Sequence, residues 1–165
     1  MFYLETPRLV LRLFQESNAA DLFRIEGNPD VMRYIRPPAV DASQSLARIQ
    51  QEIIYNEAYP GLGLYACFEK ETNTYVGLAK IKHIDPTDDI EVGYAFVPEA
   101  WGKGYATELT KAAIEYIQTH FAGRRIIAFI QAQNANSRKV LEKSGMKKIA
   151  SVYPGREEAV VFEYF

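Results

Sequence analysis

Two glycines flanking a lysine, Gly102-Lys103-Gly104, stand between an apolar strand pattern that ends at Pro98 and a strongly amphipathic helix pattern that begins at Tyr105. Glycine frees the backbone to aim successive N–H groups at one point, and a helix N-terminus adds partial positive charge. Such a turn binds an anion, and a phosphate or diphosphate is the guest it suits. Two common nucleotide loops are excluded by spacing. A Walker A loop needs glycine five residues before its Gly-Lys pair and Ser or Thr after it, and Val97 and Gly104 hold those positions. A dinucleotide fingerprint needs a third small residue where Thr107 stands, and it opens a first βαβ unit.

Other chemistry-bearing residues are few. Cys67 is the sole cysteine, which rules out an intrachain disulfide and points to a reducing compartment. It lies in the apolar pattern Leu64-Tyr-Ala-Cys-Phe68 and reads as a buried structural thiol. His83 and His120 are the only histidines, without ligand spacing or a cysteine partner, so no metal is implied. The net charge of −2 gives no global field for nucleic acid, although residues 1–98 carry a net −5 and residues 99–165 a net +3. The basic half would suit a phosphorylated cofactor, and the acidic half a cationic substrate. No run reaches membrane-spanning length and no signal pattern opens the chain, so a cytoplasmic protein without membrane contact is expected.

The elements that must hold the turn follow from periodicity. A first strand is expected over 9–14, then a helix from Ser17-Asn18 to Gly27. Asp41-Ala-Ser-Gln44 resembles a capping box opening a helix with Leu46, Ile49 and Ile53 on its apolar face. Strands over Leu62–Glu69, Tyr75–Ile84 and Ile90–Val97, joined by short polar turns, form an antiparallel meander. Helix Tyr105–His120 buries Ala106, Leu109, Ala113, Tyr116 and Ile117. An apolar strand follows over Arg125–Gln131, then a helix capped by Asn134 and stopped by Gly145. Strands Lys147–Tyr153 and Glu158–Tyr164 meet at Pro154-Gly155. With no linker or repeat, the 165 residues read as one α/β domain, 1–165, with a mixed sheet. The last strand, expected at an exposed edge, makes a homodimer plausible.

Trp101-Gly-Lys-Gly-Tyr-Ala106 is similar to the acetyl-CoA signature of GNAT-type N-acetyltransferases, Gln/Arg-x-x-Gly-x-Gly/Ala, with Gly104 and Ala106 at the small positions and Trp101 departing from Gln/Arg. Asn134-Ala-Asn-Ser137-Arg-Lys-Val-Leu-Glu142-Lys-Ser-Gly145 resembles the second cofactor element. Thr6-Pro-Arg-Leu-Val-Leu-Arg12 resembles the opening of the RimJ/RimL-like branch. The resemblance implies a GNAT-like fold, a sheet that splays in its middle and is flanked by helices, and acetyl-CoA as co-substrate. It places the pantetheine arm between strands Ile90–Val97 and Arg125–Gln131, on free backbone of Ala95, Phe96 and Val97. The diphosphate falls on the N–H groups of Gly102, Lys103, Gly104, Tyr105, Ala106 and Thr107. Asn134 would bond the pantetheine or cap the adjacent helix, and Arg138 and Lys139 could reach the 3′-phosphate.

The implied reaction carries acetyl from sulfur to a primary amine, a protein N-terminal α-amine or a small-molecule amine, in a ternary complex. An alkyl amine of pKa ~10.4 is protonated at neutral pH, and an α-amine of ~7.7–8 is nearly ready, so a base must take a proton. Glu91, on the cofactor strand, is the candidate base, with Asp89, His83 and Glu99 behind it. A backbone N–H near Phe96 or Val97 could hold the oxyanion. The tyrosine that many relatives use as acid is Leu141 here, and Ser137 is the replacement the branch suggests. A non-catalytic acyl-CoA-binding domain is the alternative.

Overall fold

The computed structural model describes residues 4–165, so residues 1–3 of the expected domain lie outside the described residues. Eight strands form one sheet in the order β1-β2-β3-β4-β5-β6-β8-β7. They are β1 (Leu4–Glu5), β2 (Leu9–Leu13), β3 (Gly63–Glu69), β4 (Tyr75–His83), β5 (Ile90–Phe96), β6 (Ile126–Ile130), β7 (Lys147–Ile149) and β8 (Val160–Tyr164). Helices α1 (Ala19–Glu26), α2 (Pro29–Met32) and α3 (Ala42–Ala58) separate β2 from β3. Helix α4 (Tyr105–His120) joins β5 to β6, and α5 (Ala135–Lys143) joins β6 to β7. This is the expected mixed α/β sheet. The meander β3-β4-β5 is antiparallel throughout, and α4 has the boundaries its sequence periodicity predicts.

Local details differ from expectation for identifiable reasons. Asn28 accepts hydrogen bonds from Asp30 N–H and Val31 N–H, and Pro29 holds the first helical position, which makes the four-residue α2. Asp41 caps α3 through Ser43 N–H, but Gln44 reaches past the cap to accept from Val40 N–H at 2.8 Å. Helix α3 buries Ile49, yet Ser45 and Glu52 are buried beside it. That face is polar as well as apolar, which the sequence stripe does not convey. The last strand is not at an edge. β8 lies between β6 and β7, and among the described residues the sheet ends on β1 and β7, which removes the exposed-strand argument for a homodimer.

The main core packs both faces of β2–β5 with side chains such as Leu9, Leu22, Ile49, Ile81, Leu109 and Ile117. Cys67 belongs to it, and burial pushes its thiol up to about 12, so it is inert packing. A smaller cluster of Ile84, Ile127, Tyr153 and Val161 lies at β6 and β8. The parallel pair β5–β6 touches both clusters, and there the sheet opens.

Candidate active site at the splayed strands

β5 and β6 pair at only two positions, Ile90 with Ile126 and Glu91 with Ile127, while β6 stays paired with β8 along its whole length. Beyond Glu91 the strands part, and a gap opens in the sheet. Backbone groups along a strand point alternately to either neighbour. Ile90 N–H donates to Arg125 C=O on the β6 side, whereas Val97 N–H donates to Val76 C=O on the β4 side. Val92, Tyr94 and Phe96 therefore turn their backbone toward the gap, and Ala95 and Val97 do not. Of the three residues expected to pair with a pantetheine arm, only Phe96 faces it. Val97 N–H is already committed, so of the two N–H groups considered for an oxyanion only that of Phe96 faces the gap. The Phe96 carbonyl is also taken, by Trp101 Nε1–H at 2.8 Å. Trp101, the departure from the signature, thus closes the turn onto the end of β5.

The turn itself has the expected shape. Gly102 and Gly104 have φ of +76° and +80°, a left-handed conformation that β-carbons disfavour. A Cβ on Gly102 would meet no protein atom within 4 Å, so backbone conformation, not protein crowding, favours glycine there. Gly104 is the residue before α4, and Tyr105, Ala106 and Thr107 supply the free first-turn N–H groups. Lys103 does not point at the turn's anion side. It pairs with Glu69 Oε1 at 3.2 Å, which also accepts from the Tyr105 hydroxyl at 2.6 Å. Hydrogen bonds from Tyr105, Lys103 and Thr72 hold Glu69 below the usual carboxylate range. The same bond raises the Tyr105 phenol to about 12.

Arg8 is the cation that sequence reasoning missed. Its guanidinium lies 4.6 Å from the Tyr105 ring centroid, and its Nη2 would sit 3.6 Å from a Cβ on Gly104. It is fixed by Glu108, which accepts from Arg8 Nε at 2.7 Å, Arg8 N–H at 2.9 Å and Thr6 Oγ1 at 2.5 Å. Burial raises the Glu108 carboxyl, but these bonds outweigh it and the net shift is downward. Glu108 carries negative charge in the first turn, where a diphosphate would be repelled, and Arg8 neutralises it. The signal was available in Thr6-Pro-Arg8, but its partner is 100 residues away.

The other expected residues fall on two faces of the sheet. Glu91 is buried on the α3 face of β5, and its Oε2 takes both Lys80 Nζ at 2.6 Å and Arg156 Nη2 at 3.5 Å. His83 is held by α3: its N–H donates to the Tyr55 hydroxyl at 2.9 Å, and Tyr59 packs edge-on at 4.8 Å. Asp89 pairs with Arg125 and accepts from the Tyr153 hydroxyl, while Glu99 is exposed beside Arg24. Tyr94 and Phe96 point to the opposite face, where Phe96 contacts Tyr105. There Asn134 Oδ1 accepts from Ser137 N–H at 3.2 Å, so Asn134 caps α5 as expected, and Ser137 Oγ accepts from the Tyr94 hydroxyl at 3.2 Å. Leu141 is buried in the core. Neither Arg138 nor Lys139 makes an ion pair among the described residues.

A gap in a sheet, opened beside a helix that begins with a glycine turn, offers backbone for a strand-like arm and N–H groups for a diphosphate. Residues 8–147 match the family model described as an acetyltransferase (GNAT) domain, and the chain belongs to that family. The protein named "Uncharacterized N-acetyltransferase p20" of Bacillus licheniformis is 30% identical over 148 residues, which cover 88% of this chain and 82% of its own. Among solved structures, an acetyltransferase from Agrobacterium tumefaciens shares the fold with a TM-score of 0.86 at 21% identity, covering 100% and 95% of the two chains. RimL, described as a ribosomal L7/L12 alpha-N-protein acetyltransferase in complex with coenzyme A, has a TM-score of 0.77 at 18% identity, covering 98% and 96%. The protein is an N-acetyltransferase of the GNAT fold, with acetyl-CoA as its co-substrate.

Proposed function

We propose that residues 1–165 form one N-acetyltransferase domain of the RimJ/RimL-like type, moving acetyl to a primary amine, a protein N-terminal α-amine or a small-molecule amine. The observation that carries this is the parting of β5 from β6 immediately before the Gly102–Thr107 turn. Acetyl-CoA supplies an activated thioester carbonyl; the rest is positioning by this chain. The N–H groups of Gly102, Lys103, Gly104, Tyr105, Ala106 and Thr107 grip the diphosphate, with Arg8 beside them. Tyr94 and Phe96 offer backbone to the arm. Asn134 orders the first turn of α5 around Ser137.

The amine enters from the face that carries Glu91, and the thiol leaves toward the face that carries Ser137. Both ion pairs of Glu91 fall on Oε2, so Oε1 is the oxygen through which it takes a proton from the amine, directly or by way of water. Thiol release from acetyl-CoA against a panel of peptides, polyamines and amino acids tests the reading. Turnover with one amine class supports it.

A second reading, an acyl-CoA-binding domain without turnover, draws on Leu141 in the acid position and on the two cations already bound to Glu91. Tight binding of acetyl-CoA with no turnover on any amine would select it, and absence of CoA affinity would reject both.

A further inference from the structure

The departing thiolate needs a donor, and Leu141 cannot be one. Ser137 stands in the first turn of α5, which follows β6, and Tyr94 stands on β5 across the gap. Their hydrogen bond, Tyr94 hydroxyl to Ser137 Oγ at 3.2 Å, therefore spans the opening between the two strands on the thiol side. Tyr94 is followed by Phe96 and Tyr105, with centroids 6.1 Å apart at each step, an aromatic row from this bond toward the diphosphate turn. Resting on the acetyl-transfer reading, we propose that Tyr94 is a positioning residue for thiol departure, orienting the Ser137 hydroxyl toward the sulfur.

The reason is the inventory of a hydroxyl: one proton and two lone pairs. When Ser137 Oγ accepts from Tyr94, its own O–H cannot return along that line and points elsewhere. The Ser137 backbone N–H is already bonded to Asn134 Oδ1, so the turn is held and the hydroxyl rotor is the remaining freedom. A hydroxyl that accepts one hydrogen bond is also polarised into a better donor for the next. Burial raises the Tyr94 phenol, which keeps its proton in place at neutral pH.

In the step itself, the amine nitrogen bonds to the carbonyl carbon and the C–S bond breaks with its electron pair going to sulfur. Ser137 O–H donates a hydrogen bond to that sulfur, and Tyr94 O–H donates to Ser137. The amine's proton leaves on the Glu91 side. A thiol of pKa ~8.5 is a stronger acid than a phenol of ~10, so full proton transfer from Tyr94 is uphill and is not required.

The test is a double-mutant cycle of kcat and KM on the full-length enzyme. Tyr94→Phe keeps the ring and removes only the hydroxyl. It should lower kcat by about fivefold, the scale of one neutral hydrogen bond, and leave the KM for acetyl-CoA unchanged. Ser137→Ala should lower kcat at least as much, and adding Tyr94→Phe to it should have no further effect. A role in packing alone would make the two losses multiply, or would shift KM and melting temperature instead. Either result, or an unchanged kcat in Tyr94→Phe, overturns the inference while wild-type turnover leaves the acetyl-transfer reading standing. A wild type that binds acetyl-CoA but turns over no amine overturns both.

Discussion

The Gly102–Thr107 turn and the α3 face of the sheet are built in opposite ways. The turn is main-chain geometry: two left-handed glycines, a helix N-terminus and one arginine neutralising one first-turn carboxylate. The α3 face is instead made of side chains held in a dense ion-pair mesh. Glu26 accepts from Ser45 and pairs with Arg36 and Arg48, Glu52 pairs with Lys82, and Glu91 pairs with Lys80 and Arg156. These five cations and three carboxylates come from α1, the loop after α2, α3, β4, β5 and the turn before β8. In the proposed reading, the main-chain site takes the diphosphate, the part of the co-substrate that never changes.

The contrast is broken most severely at the turn. Gly104→Asp combines left-handed strain with negative charge beside the diphosphate, and acetyl-CoA affinity should fall on the order of 100-fold or more in calorimetry. Unchanged affinity would remove the turn from the site. Glu91→Gln should lower turnover at neutral pH by about 100-fold, the lower end for a general base, with acetyl-CoA affinity intact. Wild-type turnover in that variant would hand the proton to water or to another residue. Arg8→Met should weaken acetyl-CoA by about tenfold through loss of one charge-assisted contact and of the neutralisation of Glu108. S-acetylpantetheine, which lacks the diphosphate, should bind both forms alike, and equal losses for the two ligands would make Arg8 purely structural.

The smallest effect sharpens the comparison at the far side of the gap. Glu163 receives two hydrogen bonds from Arg125, at 2.9 and 2.8 Å, and these hold its carboxyl below the usual range. A depressed folded-state value means this stability is complete above the unfolded value of about 4.3 and is lost as pH falls through the folded value. Melting temperature should therefore drop on acidification below that point, and Glu163→Gln should reduce the acid-dependent part by about 2–4 °C. A variant with the same pH profile as wild type would show that the Arg125 latch contributes nothing to holding β6 on β8.

The same contrast explains what the sequence made legible. The meander, α4 and the α5 cap follow from local signals such as alternation, Gly104, Asn134 and Gly145, so their positions were readable residue by residue. The backbone direction of Ala95 and Val97 was not, because it depends on strand register: one residue of phase decides whether an N–H meets β4 or the gap. Arg8 with Glu108 and Tyr94 with Ser137 were invisible for a second reason, since each pair joins segments far apart in the chain. The clamp on Glu91 combines a diagonal contact on β4 with Arg156 from the turn before β8, and no motif encodes it. Asn28-Pro29, by contrast, is a local helix-start signal that the sequence reading passed over, and it opens α2.

Amide hydrogen exchange with and without coenzyme A tests the central claim most directly. Binding should protect the amides of residues 102–107 together with those of Tyr94 and Phe96, two of the three β5 positions whose backbone faces the gap, and leave α3 unchanged. Unaltered exchange at the turn and at both β5 amides, with protection appearing elsewhere at saturating coenzyme, would contradict it.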